Sequence, residues 1–337
     1  MRWTTDDWHT AGEPFRIVEN VPTHGYTVAA RRADAISGGT SGEADAVRRF
    51  LCLEPRGHDD MYGGFITPPD DDGADFGVLF WHKDGFSTAC GHGTIALGAW
   101  AVRTGLVASD PDGETTVTID VPSGRVQALV RQSAGRIDEI VFRNVESRML
   151  ARGIRLQTSR GVVDVDLTFG GAVYATLPAS AVGLEVTPAH TTDLIAIGRE
   201  IKWALDEHPA AQLADDRLSG VYGTILFDDL GLFDDVGRTE SGPHQRNITV
   251  FADGQVDRSP CGSGTAARVA LLAATGELAD GETLTHDSII GTRFHARIAE
   301  RTASGVIPEV RGNAYRVGSS TFELDDGDPL ADGFSLR

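Results

Sequence analysis

Lysine is almost missing from this chain of 337 residues: only Lys83 and Lys202 occur. A Schiff-base cofactor such as pyridoxal phosphate needs a lysine in a specific setting, so two scattered lysines argue against it. Cysteine is scarce as well, with Cys52, Cys90 and Cys261. An odd, widely spaced set does not read as a disulfide framework, and a reducing cytoplasm is the expected location. No run of about 18 apolar residues occurs, so no membrane-spanning helix is expected. The opening stretch, Met1-Arg-Trp-Thr-Thr-Asp-Asp7, lacks the basic-then-apolar order of a secretory signal. Positive charge is in deficit: 30 Lys and Arg stand against 49 Asp and Glu, a net charge of −19. That sign argues against wrapping nucleic acid or docking on anionic lipid. The ten histidines show no H-E-x-x-H spacing and no Cys/His quartet, so no metal is expected. Gly170-Gly171 is too little for a dinucleotide fingerprint, and no cofactor is expected.

Apolar residues are plentiful, at 41%, and 40 glycines imply many tight turns. The length suggests two domains at about 150 residues each. A repeat supports that division. Residues 90–94 read Cys-Gly-His-Gly-Thr and residues 261–265 read Cys-Gly-Ser-Gly-Thr. Both continue through small and apolar residues to a glycine, Gly105 and Gly276. The two runs lie 171 residues apart, close to half the chain. Each reads as a helix: Thr94, Leu97 and Ala101 share a face, as do Thr265, Val269 and Leu272, and the closing glycines suit helix C-termini.

Val, Ile and Thr alternate with polar residues in Thr115–Val121, Val126–Val130, Glu139–Val145, Val162–Phe169, Thr224–Phe227, Ile248–Ala252 and Thr321–Leu324, which read as strands. A further helix is expected from Thr192 to about Glu207. Many strands with few helices point to an α+β fold of two similar halves, each a sheet wrapped on a central helix. The first half spans 1–148 and carries Cys90. The second spans 149–317 and carries Cys261. The segment from about 318 to 337 is placed to pack back onto the first, and the linker falls near Ser147–Arg155.

A cysteine at a helix start meets free N–H groups and the positive end of the helix dipole, which favour thiolate. The same N–H groups bind carboxylate. If the two halves face each other, two thiols converge on one cleft around an anionic substrate. One thiolate can then remove a proton from a carbon while the other thiol delivers one to the opposite face. That is the chemistry of a racemase or epimerase. The bland alternative is a small buried hydrophobe, and it is the reading taken for Cys52 in Phe-Leu-Cys-Leu. His92 stands where the other repeat has Ser263, so it can contact a substrate carboxylate or simply cap the helix. Asp257, four residues before Cys261, can accept from a substrate ammonium or form a turn. His9 reads equally as structural, and the acidic run Asp70–Asp75 as a solvated loop.

With these motifs assembled, the chain resembles the proline racemase family along nearly its whole length. The matching stretches are His9-Thr-Ala-Gly-Glu-Pro14, Leu53-Glu-Pro-Arg-Gly-His-Asp-Asp-Met-Tyr-Gly63, Cys90-Gly-His-Gly-Thr-Ile95, Phe169-Gly-Gly171, Val256-Asp-Arg-Ser-Pro-Cys-Gly-Ser-Gly-Thr265 and Asp328-Pro-Leu-Ala-Asp-Gly-Phe334. The resemblance implies a diaminopimelate epimerase-like fold with a cofactor-free site between two pseudo-symmetric halves, each a curved, mostly antiparallel sheet around a helix. It implies Cys90 and Cys261 as acid–base residues, and Gly91, His92, Asp257, Gly262 and Ser263 as substrate contacts. Proline or a hydroxyproline is the implied partner; the oligomeric state stays open, with a homodimer the candidate.

Three activities are implied. In the family's dehydratases the second cysteine is usually threonine, so Cys261 favours racemisation. Tyr222-Gly-Thr-Ile-Leu226 looks more like the trans-3-hydroxy-L-proline dehydratases. The histidine that 4-hydroxyproline 2-epimerases place near Gly223 is missing. Proline racemase therefore ranks first, the dehydratase second and the 4-hydroxyproline epimerase third. Outside these, an imino-acid binding module would lack a cysteine, and a redox sensor would cross-link Cys90 to Cys261 in mild oxidant.

Overall fold

The computed structural model describes residues 1–38, 42–234 and 241–336. The chain forms two compact units, Met1–Val141 with Asn313–Arg337, and Phe142–Gly312. The first holds β1 (Arg2–Thr10), β2 (Glu13–Val18), α1 (Val28–Ser37), α2 (Glu43–Cys52), β3 (Tyr62–Thr67), β4 (Phe76–His82), β5 (Gly85–Phe86), α3 (Gly91–Thr104), β6 (Glu114–Val121) and β7 (Gly124–Ser133). β8 (Arg136–Arg143) ends at the passage to the second unit. That unit runs β9 (Arg148–Thr158), β10 (Gly161–Phe169), β11 (Val173–Pro178), α4 (Thr191–Leu205), β12 (Val221–Asp234), β13 (Ser241–Phe251), β14 (Gln255–Asp257), α5 (Gly262–Thr275), β15 (Leu284–Ser288), β16 (Arg293–Arg301) and β17 (Val306–Gly312). The chain then returns to the first unit as β18 (Ala314–Glu323).

The pairing pattern occurs twice. In the first unit β1–β2, β3–β4, β4–β5 and β6–β7 are antiparallel, while β2–β3 and β4–β6 are parallel. In the second, β10–β11, β12–β13, β13–β14 and β15–β16 are antiparallel, while β11–β12 and β13–β15 are parallel. β18 adds antiparallel to β1 as β9 adds to β10. A parallel neighbour needs a crossover, and helices supply it at matching places. α1 and α2 lie between β2 and β3, α4 between β11 and β12, α3 between β5 and β6, and α5 between β14 and β15. The repeat read from two short motifs is thus a repeat of whole sheets.

At the centre of each unit lies a mostly apolar helix that is buried on every side. Every residue from Gly91 to Ala101 is buried, and so is every residue from Gly262 to Leu272. α3 packs against β1, β2, β6, β7 and β18, and α5 against β9, β10, β16 and β17. Ile95, Leu97 and Leu272 are wholly or almost wholly enclosed. Each such side chain contributes about 1.5–3 kcal/mol by leaving water. Gly105 and Gly276 end the two helices with φ of 74° and 79°, the left-handed cap the sequence predicts. The expected strands are all present. Ser147–Arg155, read as a linker, is instead mostly β9 within the second unit, because its backbone from Arg148 to Arg155 pairs with Asp164–Phe169 of β10.

Two of the family-like stretches hold the C-terminal segment in place. Arg56 donates to the carbonyls of Leu330 and Ala331, both at 2.8 Å, and pairs with Asp328 at 3.3 Å. Glu54 and Phe334 exchange backbone hydrogen bonds. The Glu54-Pro-Arg56 and Asp328-Pro-Leu330 motifs are therefore partners in one clasp.

Candidate active site

In the first unit Cys90 is the N-cap of α3, with extended backbone. Its sulfur accepts the Gly93 N–H at 3.2 Å. Glycine is required at position 93, because a Cβ there would fall 2.4 Å from the Phe15 ring and 2.8 Å from the sulfur. The His92 ring nitrogens lie 3.4 and 3.6 Å from the same sulfur. Tyr62 and Phe15 meet the imidazole edge-on, with centroids at 4.9 and 5.8 Å. Tyr62 in turn hydrogen-bonds Ser87. Thr10 holds the turn of the helix by donating to the His92 carbonyl at 2.8 Å. Cys90, Gly91 and His92 thus sit together, buried, at one helix start.

In the second unit Asp257, Cys261, Gly262 and Ser263 gather at the start of α5. Ser259 links two of them: its N–H and hydroxyl donate to Asp257, and its hydroxyl accepts the Cys261 N–H at 3.0 Å. Cys261 has φ 63° and ψ 105°, a conformation that costs a side-chain-bearing residue about 1–3 kcal/mol. The neighbouring Pro260 carbonyl is pinned by Asn247 and Thr265, each at 3.0 Å, which holds the bend. Gly264 passes beneath the sulfur, where a Cβ would come within 3.0 Å. Both Cys-Gly-x-Gly-Thr motifs therefore use their second glycine to bring backbone under a thiol.

Burial pushes the Cys261 thiol well above its ordinary range, and the facing Asp257 carboxylate adds to this. The Gly264 N–H and Thr249 hydroxyl act in the opposite sense. Burial likewise raises the Tyr174 phenol. His286, bonded to Thr265 at 2.8 Å, is pushed down to about 3 by burial and by Arg268, so it is neutral. Among the described residues no group of three His, Cys, Asp or Glu side chains is arranged to hold a metal. No helix there is long and apolar enough to cross a membrane. Cys52 lies apart on α2, enclosed, donating to the Met61 carbonyl at 3.6 Å, with its thiol pushed up to about 12 by burial.

Sequence reasoning passed over Tyr174. Its hydroxyl lies 2.6 Å from Ser263 and 4.0 Å from the Cys261 sulfur. The available signal was Gly170-Gly171, set aside as a dinucleotide motif. A Cβ at Gly170 would sit 2.5 Å from the Ser263 carbonyl, so the turn exists to let β10 and β11 approach α5. His9 accepts the Gly12 N–H at 3.2 Å, and its ring lies 5.5 Å from that of Tyr315, tilted by 30°.

The family model described as proline racemase matches residues 6–335. The chain is 40% identical to a trans-3-hydroxy-L-proline dehydratase of Azospirillum brasilense, covering 99% of this chain and 98% of that one. It is equally identical, with the same coverage, to a 3-hydroxyproline 2-epimerase of Burkholderia multivorans. Among solved structures, a hydroxyproline epimerase from Agrobacterium vitis with bound trans-4-hydroxy-L-proline superposes with a TM-score of 0.88. It is 28% identical and covers 99% of this chain and 95% of its own. The architecture is the diaminopimelate epimerase-like α+β fold that the motifs implied.

Proposed function

The chain belongs to the proline racemase family, and on that footing we propose that it breaks the Cα–H bond of a proline-type imino acid with Cys90 and Cys261 as its acid–base pair. The observation that carries this reading is the repeated half-site: a cysteine at the first turn of a buried helix, with glycine backbone beneath its sulfur, once in each unit. The reaction requires a thiolate on one face of Cα and a protonated thiol on the other. The thiolate takes the proton, negative charge moves onto the substrate carboxylate, and the second thiol returns a proton with inversion. N–H groups at the helix starts, from Gly91, His92, Gly262 and Ser263, suit a carboxylate. Their hydrogen bonds strengthen as charge accumulates there. Asp257 suits the substrate ammonium. No electrons are exchanged, so the chemistry calls for no redox partner. Three cysteines outside any disulfide suit a reducing, cytoplasmic setting.

The curated relatives direct the choice of ring substituent. The 40% identity to a 3-hydroxyproline 2-epimerase supports 3-hydroxyproline over unsubstituted proline. A thiol at position 261 favours inversion. The second reading is dehydration of trans-3-hydroxy-L-proline, supported by the equal identity to a dehydratase of that substrate.

Incubation with trans-3-hydroxy-L-proline, trans-4-hydroxy-L-proline and L-proline in deuterated water tests both. Deuterium at Cα with inverted product from the 3-hydroxy compound supports the first reading. A cyclic imine from the same substrate supports the second. Inverted, labelled product from L-proline alone restores the simple racemase. Turnover of none of the three overturns the reading altogether.

A further inference from the structure

Counted from each cysteine, the two motifs differ at two chemically decisive places. Two residues after the thiol stands His92 in one and Ser263 in the other. Four residues before it stands Phe86 in one and Asp257 in the other. One half-site thus supplies an imidazole and the other a carboxylate. We propose that the two thiols are unequal at rest, Cys90 carrying the thiolate and Cys261 the proton, so that the resting protein opens the forward reaction with Cys90 as the base and the reverse reaction starts from Cys261. This rests on the reading of the chain as an enzyme that moves a proton at Cα.

The geometry around each sulfur supports the assignment. Cys90 accepts the Gly93 N–H at 3.2 Å and lies within 3.6 Å of both His92 ring nitrogens. Both sulfurs share a helix N-terminus, and Cys90 has in addition an imidazole beside it whose N–H is placed to donate to a thiolate. From the packed strands, Tyr62 of β3 faces His92, and His82 of β4 lies behind Tyr62 with centroids 5.7 Å apart. The His82 ring is pushed down to about 3 by burial and stays neutral, so it adds no charge.

Around Cys261 the balance runs the other way. Asp257 of β14 faces the sulfur as a hydrogen-bond acceptor and a negative charge, which keep the proton on the thiol. Tyr174 of β11 approaches to 4.0 Å with a phenol that burial keeps protonated. Tyr222 of β12 stands behind it, with centroids 5.8 Å apart. His286 of β15 reaches this end of α5 through Thr265 but is neutral. Arg268, further along α5, is held on Gln245 at 2.9 and 3.1 Å. The Gly264 N–H and the Thr249 hydroxyl of β13 favour the thiolate. Cys90 and Cys261 are equally buried, so the Asp257 carboxylate, and not burial, sets the second sulfur apart.

The assignment gives a balanced first step for either outcome. The Cys90 thiolate takes the Cα proton and becomes a thiol. In epimerisation the Cys261 proton goes to the opposite face of Cα, leaving Cys261 as thiolate. In elimination that proton leaves with the 3-hydroxyl as water, and the C–O electron pair departs with the oxygen. In both, the pair must exchange its proton with solvent or with the next substrate before the cycle repeats.

Peptide-mapped alkylation of the intact protein with iodoacetamide, from about pH 5 to about pH 10, tests this in the range where thiols titrate. Each cysteine's rate is scaled to its own value at the highest pH, so that differences in access to the sulfur cancel. The Cys90 profile is expected to rise below the ordinary thiol range and that of Cys261 above it. The scaled reactivities at neutral pH should then differ at least about tenfold, as one pH unit of separation implies. Cys52 should stay unmodified and serves as the internal reference. Asp257→Asn should move the Cys261 profile to lower pH and leave that of Cys90 in place. His92→Ser should move only the Cys90 profile, upward. Coincident or inverted wild-type profiles overturn the proposal even if the protein turns over hydroxyproline. Profiles in the expected order with no turnover of any imino acid leave the asymmetry standing and remove the functional reading instead.

Discussion

The hydroxyl of Tyr174 lies 2.6 Å from that of Ser263, and through this bond β11 reaches the first turn of α5. Both residues are buried, so the bond cannot be replaced by solvent at no cost. Losing one partner of a buried hydrogen bond costs about 1–3 kcal/mol. Tyr174→Phe is expected to destabilise the protein within that range in denaturant titrations. It should also lower kcat more than it raises KM, because Ser263 shares the helix start with Cys261. Unchanged stability would show that the two hydroxyls are satisfied independently.

Gly170 makes a second claim on the same helix. A methyl group there would lie 2.5 Å from the Ser263 carbonyl and 2.9 Å from the Ala267 nitrogen, both backbone atoms with little room to yield. Overpacking of this kind costs about 1–3 kcal/mol. Gly170→Ala should therefore reduce stability and activity together. Gly318→Ala, where nothing lies within 4 Å, should change neither. Equal effects of the two substitutions would refute the close-approach role of the Gly170-Gly171 turn.

Much of this arrangement was legible in the sequence. The Cys-Gly-x-Gly-Thr repeat located both central helices, their caps and the two thiols, because a helix start with small residues leaves a strong local pattern. The first 86 residues were less readable. Phe76–His82 is buried at every position, so β4 shows no alternation to mark it as a strand. The sequence marks the passage between the halves only weakly, which puts a linker at Ser147–Arg155; pairing with β10 makes most of it a strand. Tyr174 and Ser259 were invisible as site residues. Their roles depend on strand pairing and on a turn, which bring together residues distant or unremarkable in sequence.

Stability should decline on both sides of neutrality. On the acid side, His82 and His286 are each pushed down to about 3 by burial. Unfolded histidine takes up a proton near 6.5, so the unfolded chain binds more protons below that pH. Stability present above about 6.5 is lost as pH falls toward about 3, at up to about 1.4 kcal/mol per pH unit and group. On the alkaline side, Cys52 is pushed up to about 12 and Cys261 is also raised. Their contribution is complete below the unfolded thiol range near 8.5 and is lost as pH rises through it. Denaturant midpoints across this range should trace a dome. His286→Gln should flatten the acid limb; an unaltered limb would show that His286 titrates normally.

The last expectation separates the two chemistries at Cys261. Cys261→Ser retains shape and removes the acid, since a serine hydroxyl is far too weak an acid at neutral pH to deliver the second proton. Epimerisation should fall by several orders of magnitude. Cys261→Thr removes the same acid and adds a β-branch at φ 63°. Positive φ is a genuine outlier for a β-branched residue, so this variant should be less stable than the serine variant by about 1 kcal/mol. Abstraction of the Cα proton by Cys90 survives both changes. Deuterium loss from Cα-labelled trans-3-hydroxy-L-proline should therefore persist in each, while inversion disappears. If dehydration is the native reaction, imine formation should persist in both variants, because each keeps a hydroxyl at position 261 and the proton abstraction rests on Cys90. Loss of Cα deuterium exchange in both variants would mean that Cys261, not Cys90, removes the proton. The assignment of roles in the two half-sites would then be reversed.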